Sequence, residues 1–575
     1  MSAVGKLFKF ISKTIIFLFA LLGILTAAVI ACLIVLASAI EPSVPSLPEK
    51  FALVLNLDED IQENAQEDFM AFLADTSLFS LKDANEAIKY AASDPKVDVL
   101  VGRLNSSWLG AAQVQEMHEA LSAFKKAGKD SFLYSETIGM DGYGTSDYYL
   151  ASGFKEIWLQ PTGSVNITGL FMEAPFFNSL LQKIGVTTDF YARHEYKGGA
   201  ENMTADTMSP YVRQNMESIA DNLYKQIITK TAEARNIEAN ALEKLVNEAP
   251  LSATKALQNG LVDKLAYRDE LEERIKDLPQ ISLDEYILYQ KNYVEKKNKI
   301  ALIYVNGMII SGQSNYPSFG DDNAFAGADD ITEAIYEAAE DKDVKAIVIR
   351  INSPGGSYTA SDAIWHALET VKAKHKIPVV ASLGDTAASG GYFAAIGADK
   401  IVAMPASITG SIGVFGGKVS LDGLWQKIGV SWDMVQKGQN ADMMSLNKSF
   451  SPAQRKAFEE SLDEVYLDFT QKVAKARKLS PEALDKAARG RVFTGEQALT
   501  VGLVDELGSL DTAIEKAKEL ADINNYSVVI YPKPKSKIEL LNEFIQSKNI
   551  ISTIGYRLNT ILYDTVLFSP APKIK

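Results

Sequence analysis

Two tandem α/β domains behind one apolar N-terminal helix are the architecture this sequence predicts, on three observations: an internal repeat, an alternation of strand-like and helix-like runs, and a charge-free stretch near the N-terminus. The repeat is legible directly. Residues 87–107 (AIKYAASDPKVDVLVGRLNSS) lie over 334–354 (AIYEAAEDKDVKAIVIRINSP), 181–186 over 425–430, and 260–265 over 502–507. The offset moves only from 247 residues at Arg103 and Arg350 to 242 at Gly260 and Gly502, so order and register persist through each copy. At 575 residues the chain is too long for one core, and two copies of roughly 240 residues suit the usual domain size. Its 47% hydrophobic and 23% charged residues are those of a folded protein. A net charge of −15 excludes a nucleic-acid backbone as partner, which would call for clustered Lys and Arg.

Taken in order, the elements begin with residues 1–14, which carry Lys6, Lys9 and Lys13. Residues 15–40 then run without a charge, about 39 Å of helix, enough to span a bilayer. The preceding lysines and the following Glu41 place the N-terminus in the cytoplasm and the rest on the exported side. Ala37-Ser38-Ala39 resembles a cleavage site, but the apolar run exceeds a signal peptide's 7–15 residues, so an uncleaved anchor is expected. The Pro-rich segment 41–50 reads as a stiff linker. The first domain is expected over 51–295, the second over 296–535, and a tail without counterpart over 536–575. The single cysteine, Cys32, lies in the anchor, so no disulfide is expected outside it. In the second copy, 300–310, 346–352, 378–384 and 400–405 are continuous apolar runs, as strands buried on both faces must be. Residues 329–340 and 361–373 show helical spacing, and 451–478 opens with Ser451-Pro452, a helix-start signal. Such alternation predicts a largely parallel sheet.

Three glycine-rich turns follow strand ends in the second copy: Asn352-Ser353-Pro354-Gly355-Gly356-Ser357, Thr386-Ala387-Ala388-Ser389-Gly390-Gly391-Tyr392, and Ser407-Ile408-Thr409-Gly410-Ser411-Ile412-Gly413. One such turn need only let a strand become a helix. Three together suggest chemistry. A serine at a strand-to-helix turn sits among free backbone N–H groups, and a Gly-Gly pair on the next turn brings another close, which together supply a nucleophile and an oxyanion hole. A base is missing from this set.

In this order, on a duplicated chain behind an anchor, NSPGGS, ASGGY and TGSIG resemble the long, duplicated form of the signal peptide peptidase A (protease IV) family, membrane-anchored Ser/Lys proteases with a Clp/crotonase-like fold. The resemblance implies Ser389 as nucleophile and, as base, a lysine of the first copy in an extended segment after KIGV, here Lys197. It implies oxyanion donors at Gly356 and Gly390, support from Gly355 and Gly391, and a hydrogen bond from Ser411 that orients Lys197. Neither cofactor nor metal is implied. Signal peptides left in the membrane are the implied substrates, the inner membrane with periplasmic domains the implied location, and a homo-oligomer, first of all a tetramer, the implied assembly. The apolar stretch 169–177 then reads as a subunit contact ahead of a substrate entrance.

The residues add their own support. None of the four histidines (His118, His194, His366, His375) follows Ser389, so a Clp-type serine-then-histidine order is absent. His194, three residues before Lys197, would point the opposite way in an extended strand. In the repeat, Gly355 and Gly356 fall on Trp108 and Leu109, Ser389 and Gly390 on Thr145 and Ser146, and Lys197 on Ala441. Each copy has lost what the other keeps. A lysine base must fall from a pKa of about 10.4 to near 7, about 4 kcal/mol, which a dry cleft between the copies can supply. Glu195 and Glu201 would oppose this, so they are expected to face away. An acyl-CoA enzyme of the crotonase type and a silent membrane scaffold are the rival readings. The exported topology opposes the first and the complementary losses the second.

Overall fold

The structure, a computed structural model, describes residues 46–64, 79–290, 296–314 and 325–533, with the backbone of 566–568. The expected anchor and most of the tail lie outside these residues. Among the described residues no helix is long and apolar enough to cross a membrane.

The first copy is a parallel sheet built from β1 (Phe51–Asn56), β2 (Val97–Arg103), β3 (Asp130–Ser135), β4 (Glu156–Leu159), β6 (Lys264–Leu265) and β7 (Gln280–Ser282), while β5 (Thr187–Ala192) leaves it. The order is β6-β4-β3-β2-β1-β7. Its helices include α1 (Leu81–Ser93), α2 (Ala111–Lys126), α3 (Thr145–Ala151), α4 (Asn178–Ile184) and α5 (Pro210–Arg235). In the second copy come β8 (Asn298–Asn306), β9 (Met308–Ile310), β10 (Phe325–Gly327), β11 (Val344–Ser353), β12 (Gly355–Ser357), β13 (Val379–Ala388), β14 (Lys400–Ala403), β15 (Ile408–Gly410), β16 (Phe415–Ser420), β17 (Val492–Thr494), β18 (Glu506–Leu507) and β19 (Tyr526–Tyr531). Its main sheet runs β17-β15-β13-β11-β8-β19, with β14 on β13 and β18 on β14. Only β15 and β17 pair antiparallel in it. Here the helices include α6 (Ala328–Glu340), α7 (Tyr358–His375), α8 (Gly390–Ala395), α9 (Asp422–Ile428) and α10 (Pro452–Arg477). The runs expected as strands are strands, except that 300–310 breaks at Gly307, where φ is +89°.

The same physics builds both copies. α1 buries Leu81, Ala84, Ala87, Ile88 and Ala91, and α6 buries Ile331, Ala334, Ile335, Ala338 and Ala339, one stripe each at helical spacing. α5 and α10 each open on a serine N-cap with Pro at the first turn and end in a left-handed residue, Asn236 or Lys478. Tyr148 and Tyr392, counterparts in the repeat, are fully buried and donate their hydroxyls to the carbonyls of Leu261 and Leu503.

What positions the site is how the copies meet. β5 crosses to the second copy and pairs antiparallel with β16, Ala192 opposite Phe415 and Thr187 opposite Ser420. Ala112, Ile219 and Leu223 of the first copy pack with Met404, Ala406, Ile408 and Val492 of the second. Asn215 on α5 exchanges two hydrogen bonds with the Val492 backbone, both 2.8 Å. Deeper still, Arg350 on β11 donates to Glu63 (2.6 Å) and Glu116 (2.8 Å) of the first copy. All three are buried, so these charges must be paired.

Candidate active site

Ser389 ends β13 and caps α8 with φ 55° and ψ −115°, a strained backbone that turns its side chain out of the sheet. The turn is tied down on both sides, since the Ser389 N–H donates to the Gly410 carbonyl (2.8 Å) and its own carbonyl accepts from Phe393 N–H (2.9 Å). The side chain is fully buried.

Lys197 arrives from the first copy, carried across by β5. The segment before it is not extended as expected. The strand ends at Ala192, and 193–196 turn, with His194 at φ 68° and the Lys197 N–H directed at the His194 carbonyl. The sequence ARHEYKGG offers little to hold a strand there, lacking β-branched residues and ending in two glycines. His194 is thereby turned so that its ring lies 4.4 Å from the Tyr466 ring, rather than opposed to Lys197 by strand alternation. The outcome for Lys197 is nonetheless close contact with Ser389. Its Nζ lies 2.7 Å from Ser389 Oγ, 3.0 Å from Ser411 Oγ and 3.0 Å from the Ser411 carbonyl. As an ammonium it donates to all three oxygens, and as a neutral amine it has a lone pair free to accept from the Ser389 hydroxyl.

At 4% exposure, Lys197 is dry, and burial alone holds its pKa well below that of an ordinary lysine. The two nearby carboxylates are engaged elsewhere, as expected. Glu195 forms a double hydrogen bond with Arg489, both 2.9 Å, and Glu201 accepts from Ser209 N–H (3.0 Å). A cavity beside Lys197 is lined by Phe190, Tyr191, His194 and Tyr211.

The glycines divide into two kinds. Gly356 has φ +155°, and a Cβ there would run into the Ile309 carbonyl of the neighbouring β9. A Cβ on Gly390 would stand 3.0 Å from Gly356 N and 2.5 Å from Ser361 Oγ, so these two backbones lie side by side next to Ser389. Gly355 belongs to the same short strand β12, and Gly391 packs against the Ser353 carbonyl, within 2.8 Å of where its Cβ would be. β12 is also an edge on which another segment lies: the backbone of β20 (Val566–Phe568) pairs with it antiparallel, Leu567 opposite Gly356.

Sequence reasoning missed the loop that cradles Lys197 from behind. Gly490 N–H donates to the Ile412 carbonyl (2.8 Å), Tyr196 N–H to the Arg489 carbonyl (3.3 Å), and a Cβ on Gly490, where φ is +85°, would meet Lys197 N at 2.5 Å. The signal was available, because the repeat sets Gly490 over Glu248, a glycine present only in the copy that faces Lys197.

The other histidines are placed for different tasks. His118 is buried, hydrogen-bonded to Ser152 and stacked on Tyr149, with burial pushing its pKa down to about 4. His366 and His375 are exposed on α7. In the first copy, Thr145 accepts from Gly169 N–H, and Asp147, the counterpart of Gly391, accepts from Ser107 N–H while burial pushes its carboxyl up to about 7. Among the described residues no group of three or more His, Cys, Asp or Glu could hold a metal ion.

Comparison with known proteins is consistent across most of the chain. The profile of peptidase family S49 matches residues 124–282 and 371–524, and that of Clp protease matches 319–409. Protease 4 of Salmonella typhi is 33% identical over 489 residues, covering 82% of this chain and 76% of that protein. Protease 4 of Haemophilus influenzae is 33% identical over 508 residues, 83% of this chain and 80% of its own. A putative signal peptide peptidase SppA of Enterococcus faecium is 32% identical over 279 residues, 48% of this chain and 79% of that protein.

Proposed function

Since this chain belongs to peptidase family S49 and is a serine protease, we propose that Ser389 is its nucleophile and Lys197 its general base, one from each copy. The observation that carries this is the 2.7 Å approach of Lys197 Nζ to Ser389 Oγ in a buried site with no carboxylate to hold the amine charged. Neutral Lys197 takes the hydroxyl proton as Ser389 Oγ attacks a peptide carbonyl carbon. The resulting oxyanion is met by the N–H groups of Gly356 and Gly390. The ammonium then gives its proton to the leaving amine, and a water, activated by the same lysine, releases the acyl group. Ser411 orients the amine throughout, and Gly355 and Gly391 keep the two turns in contact. Substrate binds as an added strand on β12, an edge that accepts the backbone of β20 in this structure.

The substrates are apolar peptides, foremost signal peptides left in the membrane. The enzyme is anchored in the inner membrane by 15–40, with its domains over 51–295 and 296–535 in the periplasm, and works as a homo-oligomer for which the family resemblance favours a tetramer. The charge pattern of the N-terminus and the similarity to a putative signal peptide peptidase support this reading.

The test is hydrolysis of a fluorogenic apolar peptide by the full-length protein in detergent. Ser389→Ala and Lys197→Ala are expected to fall at least about 10³-fold while keeping the wild-type circular dichroism, and Ala441→Lys to stay near wild type. A fully active Lys197→Ala would overturn the assignment.

A further inference from the structure

Lys197 is delivered by a turn that its own sequence does not hold. β5 ends at Ala192, and before Lys197 the chain passes through His194 at φ 68°, a left-handed conformation that is strained for any residue but glycine. Within the turn, the Lys197 N–H meets the His194 carbonyl at a long 3.4 Å. What fixes the turn comes from the second copy, chiefly from one tripeptide, Arg489-Gly490-Arg491.

That tripeptide grips the turn of the base on one side and the partner of the base on the other. Arg489 lays its guanidinium on Glu195 as a fork, Nε on one carboxylate oxygen and Nη2 on the other, both at 2.9 Å, and its carbonyl accepts from Tyr196 N–H (3.3 Å). Arg491 covers the Tyr196 ring at 4.1 Å, and its carbonyl accepts from Ser411 N–H (2.6 Å). Arg489 is itself left-handed, at φ 63°, and Tyr466 of α10 braces it. The Tyr466 hydroxyl accepts from Arg489 N–H (3.3 Å), and its ring lies on that of His194. One set of contacts thus holds two strained residues, one from each copy.

We propose that Glu195 and Arg489 are a positioning pair for the base: their fork fixes the turn that presents Lys197 to Ser389, and the guanidinium cancels a carboxylate only two residues from that lysine. Their role rests on the reading of Lys197 as base, and both act through it.

Two observations separate this pair from an ordinary surface ion pair, which holds little in place. The first is geometry. A fork of two parallel hydrogen bonds fixes direction as well as distance, and the side chains, 31% and 25% exposed, are partly withdrawn from the solvent that screens such pairs. The second is charge. Glu195 is held ionised, its carboxyl pulled below the usual range first of all by the bond to Arg489, yet burial lowers the Lys197 pKa with no carboxylate opposing it. The surrounding charges are already paired or distributed. Arg491 also faces Glu195, and Asp485 of the helix Pro481–Ala487 takes Arg489 Nη1 (3.0 Å). Arg193, which faces His194, is bound to Asp463, and Glu201 to Ser209 N–H. Arg489 is therefore the group that forks onto Glu195 and offsets its charge beside the amine.

Full-length protein in detergent, assayed on a short apolar peptide for kcat, KM and the pH dependence of kcat/KM, tests this. Arg489→Gln strands the Glu195 carboxylate, which favours the ammonium. The acid limb should then move up by about half a pH unit or more, and kcat should fall about 10- to 100-fold with KM little changed. Glu195→Gln strands the guanidinium instead, so the limb should move down, though by less because Asp485 still holds Arg489, with a similar loss of kcat. The double exchange to Gln should return the limb to its wild-type place without recovering the rate. Arg489→Lys keeps the charge but not the fork, so the limb should stay and only part of kcat be lost. The position of the limb does not depend on how much of each variant folds, so a loss of stability leaves the test intact. Limbs that stay in place in both single Gln variants, or rates equal to wild type, would overturn the pair's role, whatever happens to the melting temperature. A fully active Lys197→Ala would instead sink the reading of Lys197 as base on which that role stands.

Discussion

At the scale of the residue, the site turns on one amine whose charge the fold refuses to stabilise. With burial as the cause of its lowered pKa, Lys197 as the proposed base should set the acid limb of activity: kcat/KM should rise with pH as the ammonium deprotonates, well below the range of a free lysine. The same shift is a stability term with a definite sign. In the unfolded chain the lysine titrates near about 10.4, so between the two pKa values folding expels a proton and stability rises by about 1.4 kcal/mol per pH unit. It is flat below the folded pKa and again above the unfolded one. Lys197→Met removes that slope, so urea midpoints should show the variant more stable than wild type at neutral pH, with the gap closing toward pH 10. Ser389→Ala, inactive as well, should keep the slope. Ser411 accepts one of the amine's bonds through Oγ and another through its carbonyl. Ser411→Ala therefore loses only the first, and kcat should drop by about 2- to 10-fold, the worth of one hydrogen bond. An unchanged kcat would remove Ser411 from the mechanism.

At the scale of the element, Ser389 and Lys197 both sit beyond the point where a strand stops. The continuous apolar runs of β8, β11, β13 and β14 were legible because a strand buried on both faces leaves no room for polar residues. So were α6, α7 and α10, from periodicity and the Ser-Pro start. The turn over 193–196 was not, since it depends on hydrogen bonds made to a loop nearly three hundred residues away in the chain. Gly490 in that loop is marked by no local pattern either; its φ of +85° and the closeness of the Lys197 backbone both call for glycine there. Gly490→Ala should thus displace Lys197, and a shift of about 1 Å can cost roughly 10²-fold in rate. Kinetics of this variant beside its melting temperature separate lost geometry from lost fold. β12 gives a second test, because the edge proposed for substrate is the one on which β20 lies. Deleting 534–575 should lower KM for a peptide that competes for that edge and leave kcat near wild type. A raised KM would mean that the tail helps to build the site.

At the scale of the whole molecule, the proposed pair of Ser389 and Lys197 would make docking of the copies a condition of catalysis. Arg103 and Arg350 anchor the repeat in sequence, yet nothing local distinguishes them. Arg103 is half-exposed beside Asp58 and Glu136 of its own copy, whereas Arg350 is buried against Glu63 and Glu116 of the other. Only the meeting of the copies assigns the second its role. Replacing Arg350 by Met should leave two carboxylates buried without a countercharge, Glu63 keeping only its hydrogen bond from Gln113, and cost about 3–5 kcal/mol. Burial already raises the Glu116 carboxyl above the usual range, and loss of the guanidinium raises it further. From the wild-type folded value of about 7 up to the variant's higher one, the folded variant holds a proton that wild type has released, so the deficit should grow as pH rises through that range. Urea midpoints of Arg350→Met should accordingly lie nearer to wild type at pH 5 than at pH 8. Hydrolysis should fail along with docking, though Arg350 touches neither Ser389 nor Lys197. If the charges serve only each other, Arg350→Met combined with Glu63→Leu and Glu116→Leu should recover both stability and rate, as an apolar patch can replace a buried ion cluster. Recovery of stability without rate would instead show that the cluster sets the angle at which the first copy presents its lysine.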